Sequence, residues 1–216
     1  MFYDKYLGID RLPEEEVTVY VSEQRNMPLN KIVIYRLILT DYQGKRIISA
    51  SDTLKQDLLN RVILCTKGKT IAQTYDAMKD QEWGFRLSYM YRMFQEEDKP
   101  VELTNHEKLS ITYLSEYKKS FATIDGEPIG YCKISDVYGT YGNIVVWVDE
   151  RYRKQGIASL LLNDLLGRCK KEQIVPIYLV MKSNEASICL AQKFGFRIQK
   201  EEIILCEEKE RTQIRL

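Results

Sequence analysis

The chain has 216 residues and a mass of 25.4 kDa, enough for one large domain or two small ones with a real core. Its 32 Lys and Arg stand against 31 Asp and Glu, and a net charge of +1 supplies no long-range field for a nucleic-acid partner or an anionic membrane. Apolar runs such as "IVVWV" and "IASLLL" fall far short of the ~20 residues of a membrane span, and the start "MFYDKYLGIDRLPEEE" lacks the basic and apolar regions of a signal peptide, so a cytoplasmic protein without membrane contact is expected.

From the N-terminus, "VTVYV" and "IVIYRLIL" read as strands, and "DYQGK" reads as a hairpin turn leading into "RIISA". "TLKQDLLNRVIL" carries apolar residues at helical spacing and predicts a helix; "FRLSYMYRMFQEE" predicts a second. "GKT" at Gly68, Lys69 and Thr70 looks like the end of a phosphate-binding loop. The glycine such a loop needs five residues earlier is Ile63, so that reading fails. Tyr89, Tyr91 and Phe94 read as core rather than as a pocket lining, since one face of a buried helix produces the same pattern. Charge and Pro100 interrupt the apolar pattern in "EEDKPVELTNHE" and divide the chain into a mixed α/β region, residues 1–100, and a second part, residues 101–216.

In the second part "KSFATI" and "PIGYCKI" alternate and flank Asp125-Gly126, a strong hairpin signal. "GNIVVWVD" is a third strand, too apolar on both faces for a sheet edge. A helix from the leucine-rich "IASLLLNDLLGRC", a strand "IVPIYLVM" and a helix from about Asn184 to Phe194 follow. Two last strands, "RIQKEEIILC" and "RTQIRL", would close the order as a hairpin around "EEKE".

The chemistry concentrates where the third strand meets its helix. "RKQGIA", Arg153 to Ala158, must turn sharply, and Gly156 lets the backbone approach a ligand. The first N–H groups of a helix lack internal partners and carry about half a positive charge between them. With Arg151, Arg153 and Lys154 alongside, the natural guest is a phosphate or pyrophosphate; the plainer reading is a solvated basic loop. Cys65, Cys132, Cys169, Cys189 and Cys206 are widely spaced, without a CxxC, and His106 is the single histidine. The thiols therefore read as reduced and mostly buried, and no metal site is expected.

The pattern Arg/Gln-x-x-Gly-x-Gly/Ala after an apolar strand resembles the acetyl-CoA pyrophosphate loop of the GCN5-related N-acetyltransferase (GNAT) family, with Arg153, Gly156 and Ala158 filling it. "NEASICLAQKFGF" is similar to a second segment of that family through Asn184, Ser187, Leu190, Lys193, Gly195 and Phe196. The resemblance implies an α/β fold of GNAT type, a mixed central sheet flanked by helices with an N-terminal mixed α/β extension. The catalytic domain would be residues 101–216. Residues 1–100 would then correspond to a degenerate half of the fold, as in a bacterial two-part subgroup.

It also implies acetyl-CoA as co-substrate and an amine acceptor. Pantetheine would pair with a strand splayed from its neighbour, here Asn143–Val148 against Ile177–Met181, with Trp147 and Val148 as contacts and Pro176 tolerated at the neighbour's start. The pyrophosphate would lie on the backbone of Arg153, Lys154, Gln155, Gly156, Ile157 and Ala158; Asn184 would cap its helix and, with Ser187, lie near the pantetheine. Direct attack of an amine on the thioester needs an oxyanion donor, such as an N–H near Val148. Base and acid are unassigned: Glu116, Asp136, Glu150, Tyr138, Tyr141 and Ser187 are candidates, each also readable as a surface residue. Ala191 occupies the position where many relatives carry an acidic tyrosine, and helical geometry argues against simple replacement by Ser187 or Cys189. The leading expectation is an N-acetyltransferase acting on a small-molecule primary amine, with a homodimer as a possible assembly. A protein or peptide amine, or an acyl-CoA sensor without turnover, are the alternatives, and a nucleic-acid adaptor is disfavoured by the balanced charge.

Overall fold

A computed structural model of the chain describes residues 2–13, 15–29 and 33–208, without the side chains of Pro28, Leu29, Asp136, Tyr138 and Glu208. In chain order the elements are α1 (Phe2–Leu7), β1 (Val17–Val21), β2 (Pro28–Leu29), β3 (Val33–Tyr42), β4 (Lys45–Ala50), α2 (Gln56–Thr66), α3 (Ile71–Met78), β5 (Arg86–Gln95), β6 (Leu109–Leu114), β7 (Lys119–Ile124), β8 (Glu127–Tyr138), β9 (Tyr141–Val148), α4 (Ile157–Lys171), β10 (Val175–Met181), α5 (Glu185–Lys193) and β11 (Phe196–Glu208). They fall into two compact units. The first holds the described residues up to Tyr91 together with those from Lys200; the second is Arg92–Gln199.

In the first unit β4 lies between β1, parallel to it, and β3, antiparallel. The β3–β4 turn has Gln43 at φ 51° and Gly44 at φ 75°, the paired positive values of a tight hairpin turn. The other edge of β3 takes the end of β11, antiparallel, with Ile203 opposite Leu39. Leu37, Leu39, Ile48, Val62, Met78, Ile203 and Leu205 meet in one core. "GKT" starts α3: Thr70 Oγ1 accepts from the Gln73 N–H at 3.2 Å, and Gln73 Oε1 accepts from the Thr70 N–H at 3.0 Å. That reciprocal cap satisfies two donors that a phosphate loop would leave free.

In the second unit β6, β7, β8 and β9 form an antiparallel meander. Asp125 (φ 50°) and Gly126 (φ 86°) make the expected turn between β7 and β8. β10 pairs parallel with β9, so β9 is interior in this unit. A parallel neighbour requires a crossover, and α4 supplies it. Ile157, Leu161, Leu162, Leu165, Leu166 and Cys169 form its buried stripe, which packs against β7, β8, β9 and β10. Each such side chain contributes roughly 2 kcal/mol of burial.

Two expectations need correction. "FRLSYMYRMFQEE" is the strand β5, not a helix: a short apolar run fits both periods, and its Tyr and Phe content favours a pleated surface. α1, α3 and β6 are additional elements that the pattern reading passed over. β11 carries the chain back to pair with β3, which puts the described residues from Lys200 onward in the same compact unit as the N-terminal strands. The strand expected at "RTQIRL" lies outside the described residues. No helix among the described residues is long and apolar enough to cross a membrane.

Candidate active site

The site starts from an interrupted ladder. β9 and β10 pair from Tyr141↔Val175 to Ile144↔Tyr178, and the register ends there, although β9 continues to Val148 and β10 to Met181. Which backbone groups this frees follows from alternation. The Asp149 N–H bonds the Ile129 carbonyl beside β8, and the Val175 N–H bonds the Thr140 carbonyl. Even-numbered residues of β9 therefore turn their polar groups toward β10 and odd-numbered ones toward β8. Beyond Ile144 the N–H groups of Val146 and Val148 point into the opening. Arg153 Nε donates to the Val148 carbonyl at 3.1 Å, which ties the strand end to the following loop.

That loop is tightly wound. A short turn, Glu150–Tyr152, is capped by Asp149, whose Oδ1 accepts from the Arg151 N–H at 2.9 Å. Lys154 then has φ 62° and Gly156 φ 83°, left-handed conformations in which glycine carries no penalty and lysine does. The Gly156 carbonyl accepts from the N–H groups of Ser159 and Leu160. The N–H groups of Gly156, Ile157 and Ala158 have no carbonyl within the helix to receive them.

Of the expected cations, Arg151 bonds Asp149 at 3.1 Å and Arg153 bonds Glu150 at 3.2 Å. Lys154 alone of the three has no ion pair among the described residues. Arg151 and Asp149 also stabilise each other's charged forms: Arg151 holds the Asp149 carboxyl below its ordinary range. Among the described residues, the positive charge left open at the helix entrance is thus that of backbone amides and Lys154 more than that of the two arginines.

A pocket of about 620 Å³ joins these parts. Trp147 and Val148 line it from β9, Arg153, Lys154, Gly156, Ile157 and Ala158 from the loop and helix entrance, and Asn184 and Ser187 from α5. Gln155, expected among them, does not line the pocket; its carbonyl accepts from His106 Nε2. Asn184 caps α5, its Oδ1 accepting from the Ser187 N–H at 3.1 Å. Ser187 Oγ lies 3.2 Å from the Tyr178 hydroxyl, whose pKa burial pushes up to about 12. Ser187 stands one turn before Ala191, so the two share a helix face; Ala191 is buried while Ser187 lines the pocket. The argument from helical angle against Ser187 therefore does not hold. Cys189, the one exposed cysteine, also lines the pocket. Burial pushes the Cys169 thiol up to about 11 and raises that of Cys132.

The other candidates lie elsewhere. Glu116 is exposed, on a turn whose Lys118 pairs at 2.8 Å with Glu172, just past the C-terminal end of α4. The pocket is at the N-terminal end of that helix, about 22 Å away along its axis. Tyr141 starts β9, at the end opposite Val148, and its ring meets Phe94. Tyr138 has its backbone in β8, and its side chain, like that of Asp136, is outside the description. Sequence reasoning missed Thr104, His106 and Tyr178. A Cβ built on Gly156 would come within 2.8 Å of Thr104 Oγ1, so residues 104–106 lie along the loop. No periodic signal marks that segment, and only the fold brings it there.

A family model described as the acetyltransferase (GNAT) family matches residues 76–196, more than half of the chain. Among solved structures, a GCN5-related N-acetyltransferase-like protein from Streptococcus suis is 15% identical, with a TM-score of 0.50, over 80% of this chain and 83% of its own. A GCN5-related N-acetyltransferase from Sphaerobacter thermophilus is 14% identical, TM-score 0.49, over 63% of this chain and 56% of its own. A GNAT-family protein from Novosphingobium aromaticivorans is 15% identical, TM-score 0.45, over 57% and 66%. The match spans less than two thirds of the length of these last two proteins.

Proposed function

Because the chain belongs to the GNAT acetyltransferase family, we propose that its 620 Å³ pocket binds acetyl-CoA and that the acetyl group passes to the primary amine of a small molecule. One observation carries this reading: the opening between β9 and β10 beyond Ile144 and the unpartnered entrance of α4 face the same pocket. The amides of Gly156, Ile157 and Ala158, with Lys154, would hold the pyrophosphate. Pantetheine would lie along Val146–Val148 and take the place of the missing strand partner. Residues 101–216 would be the catalytic region and 1–100 a degenerate half of the fold; every residue lining the pocket falls between Val146 and Lys193, in support of the first assignment. Five free thiols accord with a reducing, cytosolic setting.

The reaction asks little of side chains. The unprotonated amine nitrogen attacks the thioester carbonyl carbon, and the Val148 N–H donates to the developing oxyanion. The C–S bond then breaks, the thiolate leaves, and the nitrogen gives its extra proton to water. Ser187 Oγ–H would donate to the leaving sulfur, and its 3.2 Å contact with the Tyr178 hydroxyl supports that role. A thiol with an ordinary pKa near 8.5 leaves at neutral pH without a stronger acid.

Alkylation of Cys189 by iodoacetamide tests the binding half, since this thiol lines the pocket and the other four are buried. Saturating CoA should slow it at least about tenfold, as expected when a bound ligand covers the site. Unchanged labelling would refute the pocket assignment. Thiol release from acetyl-CoA over a panel of amines tests the transfer half: binding without release on any amine would favour a sensor.

A further inference from the structure

The opposite face of the β7–β8–β9 meander carries charge that nothing in the described structure balances. Lys119 and Lys133 are direct cross-strand partners, an arrangement in which like charges repel. Neither forms an ion pair among the described residues. Both ammonium groups sit by one ring: Lys119 Nζ is 4.4 Å and Lys133 Nζ 6.0 Å from the centre of Tyr131. A phenol ring attracts cations through its face but carries no net charge, so the pair remains uncompensated. Tyr131 in turn stacks on Trp147, with ring centres 5.7 Å apart and planes at 28°. Trp147 is 44% exposed, a large apolar surface left open to solvent, and it also lines the pocket assigned to acetyl-CoA. One continuous platform therefore runs from the opening at Val148, across two aromatic rings, to two cations. β7 lies two strand spacings from β9, roughly 10 Å.

We infer that this platform is the acceptor site and that it selects a primary amine whose flat apolar body carries a carboxylate or another anionic group at its far end. The inference rests on the transferase reading above. The ring system stacks on Tyr131 and Trp147, the anion sits between Lys119 and Lys133, and the amine reaches the opening beside Val148. The anion relieves the repulsion between the two lysines, so binding gains from both new attractions and the loss of an old penalty. A neutral analogue gains neither.

The test uses the full-length protein with CoA bound and compares 4-(aminomethyl)benzoate with 4-(aminomethyl)benzamide by calorimetry. The acid should bind about tenfold more tightly than the amide, the size expected of two half-exposed charge pairs. In the double variant Lys119→Gln/Lys133→Gln the two ligands should come within about twofold of one another, with CoA affinity unchanged and a thermal midpoint no lower than that of the unaltered protein, since the repulsion is gone. The charge-reversed pair Lys119→Glu/Lys133→Glu should invert the preference. Equal affinities in the unaltered protein, a preference that survives the glutamine variant, or binding of neither ligand would overturn the inference. If the acid is preferred but acetyl-CoA releases no thiol with it or with any amine, the anion site stands and the transferase reading falls.

Discussion

At the residue scale, the proposed proton chemistry turns on Ser187 and Tyr178. Burial raises the Tyr178 hydroxyl to about 12, so it stays protonated throughout the range from about pH 6 to 10, in which an unperturbed tyrosine would begin to ionise. A group that remains neutral can keep its hydrogen bond to Ser187 and adds no falling limb to the rate. We therefore expect kcat to rise as the acceptor amine deprotonates and then to stay level up to pH 10. Replacement of Ser187 by Ala should lower kcat about tenfold, the value of one hydrogen bond to a developing charge, and leave CoA affinity within about twofold. A falling limb that disappears in Tyr178→Phe would show that this hydroxyl titrates during turnover, against the expectation. Sequence alone singled out Ser187 but gave no weight to Tyr178, because the 3.2 Å contact joins a strand to a helix and depends on the packing of α5 over β10.

At the element scale, α4 has one glycine at its N-cap and one within it, with opposite expectations. Gly156 stands at φ 83°, and a Cβ there would also meet Thr104 Oγ1 at 2.8 Å. Gly156→Ala should cost about 1–2 kcal/mol of stability from the left-handed conformation alone, in addition to weakening CoA binding. The sequence reading ascribed the glycine to ligand approach; the backbone angle adds a stability cost to any substitution there. Gly167 lies within the helix, where a Cβ would meet nothing within 4 Å. Gly167→Ala should stabilise by about 0.5–1 kcal/mol and leave CoA affinity unchanged. Thermal melts of the two variants are the check, with about 2–4 °C expected per kcal/mol in a chain of this size; shifts of the same sign would refute this account of the helix entrance.

At the scale of the whole molecule, the return of β11 to β3 makes the linear halves poor folding units. Ile203, Ile204 and Leu205 are at most 1% exposed, and their strand takes its hydrogen bonds from β3. A fragment of residues 101–216 would expose all three, forfeiting roughly 5–9 kcal/mol of burial, comparable to the entire stability of a typical domain. That fragment should therefore show no cooperative thermal transition, whereas the full chain should melt cooperatively. A sharp melt of the fragment, monitored by circular dichroism, would mean that its strand finds another partner.

Features that depend on a few neighbouring residues were legible in the amino-acid order. Asp125-Gly126 dictates its turn because both must adopt positive φ, and the leucines from Leu161 to Leu166 dictate α4 because their spacing makes one apolar stripe. The same locality made "RKQGIA" readable as a sharp turn into a helix and Asn184 as a cap. Tertiary structure decided the rest, because cross-strand neighbours are set by register between distant segments. It made "RLSYMYRMFQ" a strand, turned Arg151 and Arg153 onto their own acids, and ended the β9–β10 ladder at Ile144. It also placed Lys119 opposite Lys133 and set Tyr131 against Trp147. Each residue type was visible in the sequence; its neighbours came from the sheet.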